Sequence, residues 1–209
     1  MSGVRIKICG MKTPDDAVAA VDAGADLIGV NFVPGSPRQV DLKTAEEICG
    51  RVASEQVERV ALFRDASWEE IDRVLRRVDF ERAQLHGDET EEEVEAIDLP
   101  VIKAIRGADV QAAETYPGTI LLLDHPSEGG GKGVAWNWSD ASELIELGHD
   151  VILAGGLTPD NIGQALADAG DLLPWGVDVA TGVEGAEYRK DVAKMKAFVA
   201  AVRRAEEGE

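Results

Sequence analysis

The chain has little of what several function classes require. Among its 209 residues there are only two cysteines, Cys9 and Cys49, and three histidines, His86, His125 and His149. The cysteines stand far apart and the histidines lack helical pair spacing, so no metal-ligand pattern is visible and no metal is expected. No apolar run approaches the roughly 20 residues of a membrane span, and Met1 to Gly10 lacks a basic stretch followed by a long apolar core. The expectation is a cytoplasmic protein, without a membrane partner, whose two thiols stay reduced; Asn137-Trp138-Ser139 is then an accidental glycosylation match. Positive charge is also short. With 21 basic against 40 acidic residues and a formal net charge of −19, binding to nucleic acid by bulk electrostatics is excluded. The acidic residues run through helical stretches such as Thr90 to Glu95 and the tail Glu206 to Glu209, which reads as a solvated shell. Such a shell is expected of a halophile, because at molar salt the Debye length falls to roughly 3 Å and self-repulsion is screened. An ordinary acidic mesophile protein is the alternative.

What is present is a regular alternation. A hydrophobic fraction of 44% over this length supports one core, and a single domain over residues 1–209 is expected. Short aliphatic runs recur at Val4 to Ile8, Leu27 to Asn31, Val57 to Phe63, Arg82 to Leu85, Val101 to Ile105, Ile120 to Leu123, Val151 to Ala154 and Gly176 to Val179. Several are continuous rather than alternating, as in parallel strands buried on both faces. Helical segments lie between them. Thr13-Pro14 and Thr158-Pro159 read as an N-cap followed by proline at the first helical position, and Ser67 with Glu70 and Thr90 with Glu93 as capping boxes. The last segment, Val192 to Val202, puts Val192, Met195, Phe198, Val199 and Val202 on one face, and a fifth helix is placed near Asp109 to Thr115. Eight strand–helix units in so few residues point to a closed (β/α)8 TIM barrel; an open doubly wound sheet is the rival architecture.

In such barrels the active site lies at the carboxyl ends of the strands. Gly155-Gly156, followed by Leu157-Thr158-Pro159, allows close backbone approach to a phosphate after the seventh strand, and Thr181-Gly182 supplies the other half after the eighth. The first and sixth strands end in Cys9 and Asp124, which can project into the mouth on opposite sides of a ligand. Arg38, in Ser36-Pro37-Arg38, offers a planar fork for a carboxylate. His86 ends the fourth strand, where substrate contact and a structural role are both open. Gly129-Gly130-Gly131-Lys132-Gly133 fails as a nucleotide loop, since Pro126 replaces the first glycine and Gly133 the hydroxyl residue; it is read as a lid over the mouth.

Lys7-Ile8-Cys9-Gly10, Ser36-Pro37-Arg38, Gln84-Leu85-His86-Gly87, Leu123-Asp124, Gly130-Gly131-Lys132-Gly133, Leu153-Ala154-Gly155-Gly156-Leu157 and Gly176-Val177-Asp178-Val179 together resemble the phosphoribosylanthranilate isomerase family, from residue 4 to about residue 200. The resemblance implies a metal-free and cofactor-free Amadori rearrangement of N-(5-phosphoribosyl)anthranilate in tryptophan biosynthesis. It also implies Cys9 as general base, Asp124 as general acid, Arg38 on the anthranilate carboxylate, and Gly155, Gly156 and Gly182 on the phosphate. Asp178 falls in a family motif near the site without an assigned role. The chain departs from the family at Lys132, at Trp136-Asn137-Trp138 and at Ala180-Thr181, which bears on substrate affinity rather than on the reaction. A monomer or a homodimer is expected.

The two roles require protonation states that water disfavours at pH 7, at about 4 kcal/mol for a protonated aspartate and about 2 kcal/mol for a thiolate. The expectation is that apolar enclosure raises the Asp124 pKa and that N–H dipoles or Lys7, two residues from Cys9 on the same strand face, lower that of the thiol. Three alternatives stay open. They are the sister isomerase of histidine biosynthesis, which has aspartate at the position of Cys9; indoleglycerol-phosphate synthase, hinted at only by Lys103; and a non-catalytic phosphosugar-binding barrel.

Overall fold

Eight short parallel strands pair in chain order, and the eighth closes on the first. They are β1 (Arg5–Cys9), β2 (Leu27–Asn31), β3 (Glu58–Phe63), β4 (Arg82–Leu85), β5 (Val101–Arg106), β6 (Ile120–Asp124), β7 (Val151–Leu153) and β8 (Gly176–Val179). The helices α1 (Pro14–Ala23), α2 (Leu42–Arg51), α3 (Trp68–Leu75), α4 (Glu91–Glu95), α5 (Val110–Glu114), α6 (Ser142–Glu146), α7 (Ile162–Asp168) and α8 (Val192–Glu206) follow the strands in turn. This is the TIM barrel expected from the sequence, and the rival open sheet is excluded by the β1–β8 pairing. The computed structural model describes residues 3–125 and 136–208; the glycine-rich segment read as a lid lies outside the described residues.

The continuous apolar runs have a direct cause. Residues alternate between two hydrophobic layers: Leu27, Val60, Ile102, Ala104, Ile120, Leu122, Ile152 and Ala154 fill the interior, whereas Ile6, Ile8, Leu121, Leu123 and Leu153 face outward under helices such as α8, with its buried Met195 and Phe198. The first strand breaks the apolar rule on its inner face, carrying Arg5, Lys7 and Cys9 from one end of the barrel to the other. At the lower end Arg5 meets Glu58 at 3.0 Å, Arg82 bonds the same carboxylate, and both guanidinium groups lie over the Trp175 ring, at 4.7 and 5.5 Å. Cation–π and ionic contacts thus seal the end opposite the strand carboxyl termini.

The caps follow local chemistry. Thr13, Ser67 and Thr90 each form a reciprocal capping box, with Asp16, Glu70 and Glu93 as partners, and Asp109 caps the short fifth helix. Two expectations are corrected. Thr158-Pro159 does not start a helix: α7 begins at Ile162, and Asn161 turns its side chain back, accepting from Thr158 N at 2.7 Å and donating to Gly156 O at 2.9 Å. The proline sits in a turn that its fixed φ also suits. In α8, Met195, Phe198 and Val202 are buried but Val192 is 48% exposed, because it lies at the first turn, beyond the edge of the barrel contact. Among the described residues no helix is long and apolar enough to cross a membrane, and no group of three or more His, Cys, Asp or Glu side chains is placed to hold a metal.

Candidate active site

A cavity of about 450 Å³ opens at the carboxyl ends of the strands. Cys9, Arg38, His86, Asp124, Gly155, Gly156, Asp178, Thr181 and Gly182 all line it. Lys7 is the exception among the residues singled out from sequence: it lies one layer below the opening, 0% exposed, and reaches the site through its neighbours.

Cys9 is the last residue of β1 and packs against Gly29 of β2; a Cβ on Gly29 would stand 2.7 Å from the thiol sulfur. Beneath it the Lys7 ammonium donates to Asp178 Oδ1 at 2.7 Å and lies near enough to the thiol to attract its charged form. Lys7 and Cys9 therefore share the inner face, as the two-residue repeat predicts. Burial nevertheless pushes the Cys9 thiol above its ordinary value: desolvation outweighs the attraction of Lys7 and Lys190, and Asp178 adds to the rise. The expected net lowering is thus corrected, although Lys7 acts in the expected direction. The Lys7 ammonium is itself opposed by burial, which Asp178 and Cys9 overcome, leaving it above its usual value.

Asp124 ends β6. Its Oδ1 accepts from His125 N at 2.8 Å and its Oδ2 stands 3.1 Å from His86 Nε2. His86 Nδ1 in turn lies 3.2 Å from Gln84 Nε2; with that amide donating, the imidazole carries its proton on Nε2 and donates to Asp124. Gln84 Oε1 is buried without a partner among the described residues. Burial opposes ionisation of Asp124, but the hydrogen bond and electrostatic attraction of His86, with the His125 N–H, hold its carboxyl below the usual range. Here too the expected direction is reversed, because the site supplies donors where apolar enclosure was anticipated.

Arg38 crosses the mouth from the β2 loop. Its Nε donates to Glu184 Oε1 at 2.6 Å, and its Nη2 donates to Glu184 Oε2 at 2.8 Å and to Thr181 Oγ1 at 2.9 Å. Glu184 also accepts from the buried Lys190 ammonium at 2.7 Å, and its carboxyl is pulled below the usual range by Arg38 and Lys190 against the effect of burial. The Thr181 hydroxyl oxygen thus accepts from Arg38 within the loop that sequence reasoning assigned to a phosphate. Gly155 and Gly156 both adopt left-handed φ, 76° and 74°, which turns the chain sharply after β7. A Cβ on Gly182 would stand 2.0 Å from Leu157 O, so the loops after β7 and β8 touch backbone to backbone. That joins the two halves of the candidate phosphate cradle. Trp136 and Trp138 both donate through Nε1 to Ala154 O, at 2.9 and 3.3 Å, bracing the β7 turn from outside.

Sequence reasoning missed Glu184, Lys190 and Tyr188. All three follow β8 in a polar stretch with no recognised motif; the one available signal was a Glu and a Lys flanking a short turn. Lys103, the hint toward a lysine acid, is absent from the lining of this cavity; it is salt-bridged to Glu89 at 2.9 Å and borders a neighbouring cavity with His86 and Asp124.

The fold and the site define a (β/α)8-barrel protein with ionisable groups and a glycine-built cradle gathered at the strand carboxyl ends. The chain belongs to the N-(5'phosphoribosyl)anthranilate (PRA) isomerase family, whose model matches residues 6–201. It is 45% identical over 210 residues to the N-(5'-phosphoribosyl)anthranilate isomerase of Pseudomonas aeruginosa (strain LESB58), covering 97% of each chain. Its fold superposes on the crystal structure of phosphoribosyl anthranilate isomerase from Thermus thermophilus with a TM-score of 0.86, at 36% identity over 96% of this chain and 99% of that one. A phosphoribosyl anthranilate isomerase in complex with reduced 1-(o-carboxyphenylamino)-1-deoxyribulose 5-phosphate matches at TM-score 0.85 and 31% identity, over 96% and 99% of the two chains.

Proposed function

We propose that this chain converts N-(5-phosphoribosyl)anthranilate to 1-(2-carboxyphenylamino)-1-deoxyribulose 5-phosphate in tryptophan biosynthesis, with Cys9 as general base and Asp124 as general acid. The observation that carries the assignment of roles is that Cys9, Asp124 and Arg38 line one cavity at the mouth of the barrel. Asp124 protonates the furanose ring oxygen, the C1′–O bond breaks, and the anilino nitrogen becomes a protonated Schiff base. The positive charge next to C2′ acidifies that C–H bond, and the Cys9 thiolate removes the proton to give an enolamine, which tautomerises to the ketone. Arg38 takes the anthranilate carboxylate, and Gly155, Gly156 and Gly182 present backbone to the phosphate. Thr181 joins that phosphate cradle beside Arg38, while Lys7 and Asp178 set the charge around the thiol. The reading takes residues 1–209 as one barrel domain, a monomer or homodimer acting in the cytoplasm on a small phosphorylated substrate.

With its pKa held down the carboxyl is ionised at neutral pH, and with its pKa held up the thiol is neutral, the reverse of the working forms. Only the small population with both protons exchanged is competent, and substrate binding has to favour it. The test follows the loss of phosphoribosylanthranilate fluorescence with purified protein at low and at molar salt. Turnover is expected in the wild type, with a loss of at least about 10²-fold in kcat for Cys9→Ala and for Asp124→Asn and folding retained. Near-normal turnover in either variant removes that residue from its role.

A further inference from the structure

The chain doubles back after β8. Glu184 and Lys190 form an antiparallel bridge, Gly185 N donates to Arg189 O at 2.9 Å, and Arg189 N donates to Ala186 O at 3.1 Å. The two residues at the centre, Glu187 and Tyr188, have φ of 56° and 57°, so Ala186 to Arg189 is a turn of type I′. That turn selects Asn-Gly or Gly-Gly, because a Cβ is strained at positive φ and most of all on a bulky residue. Glu-Tyr contradicts the preference at both positions. The strained pair is held from outside: Lys12 Nζ donates to Glu187 O at 3.1 Å, and Arg189 bonds Asp16 at 3.1 Å and Thr13 at 3.0 Å.

The strain puts an aromatic ring at one particular place. Tyr188 lines the mouth cavity and is 47% exposed. Its ring lies 5.4 Å from the Arg38 guanidinium carbon and 5.9 Å from Lys12 Nζ, so two cations fix it there. Arg38 has its Nε and Nη2 donors committed to Glu184 and Thr181; among the described residues nothing accepts from Nη1. An uncommitted pair of donors and a half-exposed aromatic ring thus adjoin on one rim of the cavity. Their complement is a carboxylate carried on an aromatic ring.

We propose that Tyr188 is a specificity-determining residue, the wall against which the substrate's anthranilate ring packs while Arg38 Nη1 takes its carboxylate. The proposal rests on the isomerase reading above and identifies a contact beyond it. Glycine would give the same turn without strain and without the wall, which makes the two contributions of this side chain separable.

The experiment compares wild type, Tyr188→Gly and Tyr188→Phe by thermal unfolding and by calorimetric titration with two ligands. These are reduced 1-(o-carboxyphenylamino)-1-deoxyribulose 5-phosphate, which carries the aryl carboxylate, and ribose 5-phosphate, which does not. Y188G is expected to melt about 2–4 °C higher through relief of the left-handed strain. It should bind the aryl ligand about tenfold more weakly, as loss of one aromatic contact implies, with ribose 5-phosphate affinity changed by less than about twofold. Y188F, which keeps the ring, should restore the aryl affinity. Equal affinity of Y188G and wild type for the aryl ligand overturns the proposal; so does a lower melting temperature with both ligands weakened alike, which marks a merely structural residue. Because the titration needs no turnover, an inactive wild type would refute the isomerase reading while the ratio of the two affinities still judged Tyr188.

Discussion

Replacing Lys7 by methionine isolates the electrostatics of the thiol. Lys7 is fully buried, attracts the charged form of the Cys9 thiol and holds Asp178 at 2.7 Å. Two unit charges about 4 Å apart interact by up to about 4 kcal/mol at an effective dielectric near 20. In Lys7→Met that attraction is lost and the Asp178 carboxylate is left to repel the thiolate, so the two effects have the same sign. Taking about 3–4 kcal/mol together, the thiolate population falls by about 10²- to 10³-fold at neutral pH, with kcat/KM following it. The shape of the pH profile is the sharper test. With the carboxyl pKa held down and the thiol pKa held up, the form that the proposed roles require, protonated carboxyl with thiolate, has a constant population between the two pKa values and declines outside them. Raising the thiol further lowers this plateau and moves its alkaline edge upward by the same number of pH units. The assay is the fluorescence decay of phosphoribosylanthranilate across pH, with the pH dependence of iodoacetamide alkylation at Cys9 as a direct reading of the thiol and circular dichroism as the control for folding. A lowered plateau with the alkaline edge and alkylation profile unmoved would refute the reasoning and place Lys7 in contact with substrate. The double variant Lys7→Met/Asp178→Asn, lacking both charges, should fall between wild type and K7M.

Two further outcomes follow from the same geometry. His86→Leu removes the donor that helps depress the Asp124 carboxyl, so the acidic edge of kcat/KM should move up by about one pH unit; a profile with that edge unchanged counts against the His86–Asp124 contact. Cys49, on the buried face of α2, has its thiol pushed up to about 12 by burial. For a group raised in the folded state, the stabilisation is complete below the unfolded pKa and is lost as pH rises through the folded one. The wild type should therefore lose up to about 4 kcal/mol between roughly pH 9 and pH 12 from this group. Cys49→Ala should show a shallower alkaline fall in melting temperature, and parallel curves for the two proteins would refute this.

The barrel was legible because its signals are local and repeated. Apolar runs such as Ile120 to Leu123 reflect burial on both faces, and Thr13, Ser67 and Thr90 mark helix starts through contacts three residues long. Thr158-Pro159 misled because proline suits a turn as well as a first helical turn, and Asn161 makes the decisive contacts. The placement of candidate side chains at the mouth was legible where strand ends alone decide it, as for Cys9 and Asp124. It was not where the partner comes from a distant strand. His86 and Asp124 meet across the mouth from β4 and β6, and Glu184 meets Arg38 across 146 residues. Without those partners the pKa directions could be reasoned only from generic enclosure, and both came out reversed.

The stacked guanidinium and indole groups below the barrel have a consequence for proton traffic. With Arg5, Arg82 and Trp175 packed at one end and aliphatic layers above them, the interior is, among the described residues, a well closed at that end with its doorway at the mouth cavity. A ligand seated at the mouth is also its stopper: hydrogen isotope on the Cys9 thiol or the Lys7 ammonium has to leave past it. Exchange at these two groups should therefore slow when the doorway is occupied, and the plug makes retention of label during turnover a property of the architecture rather than of the thiol.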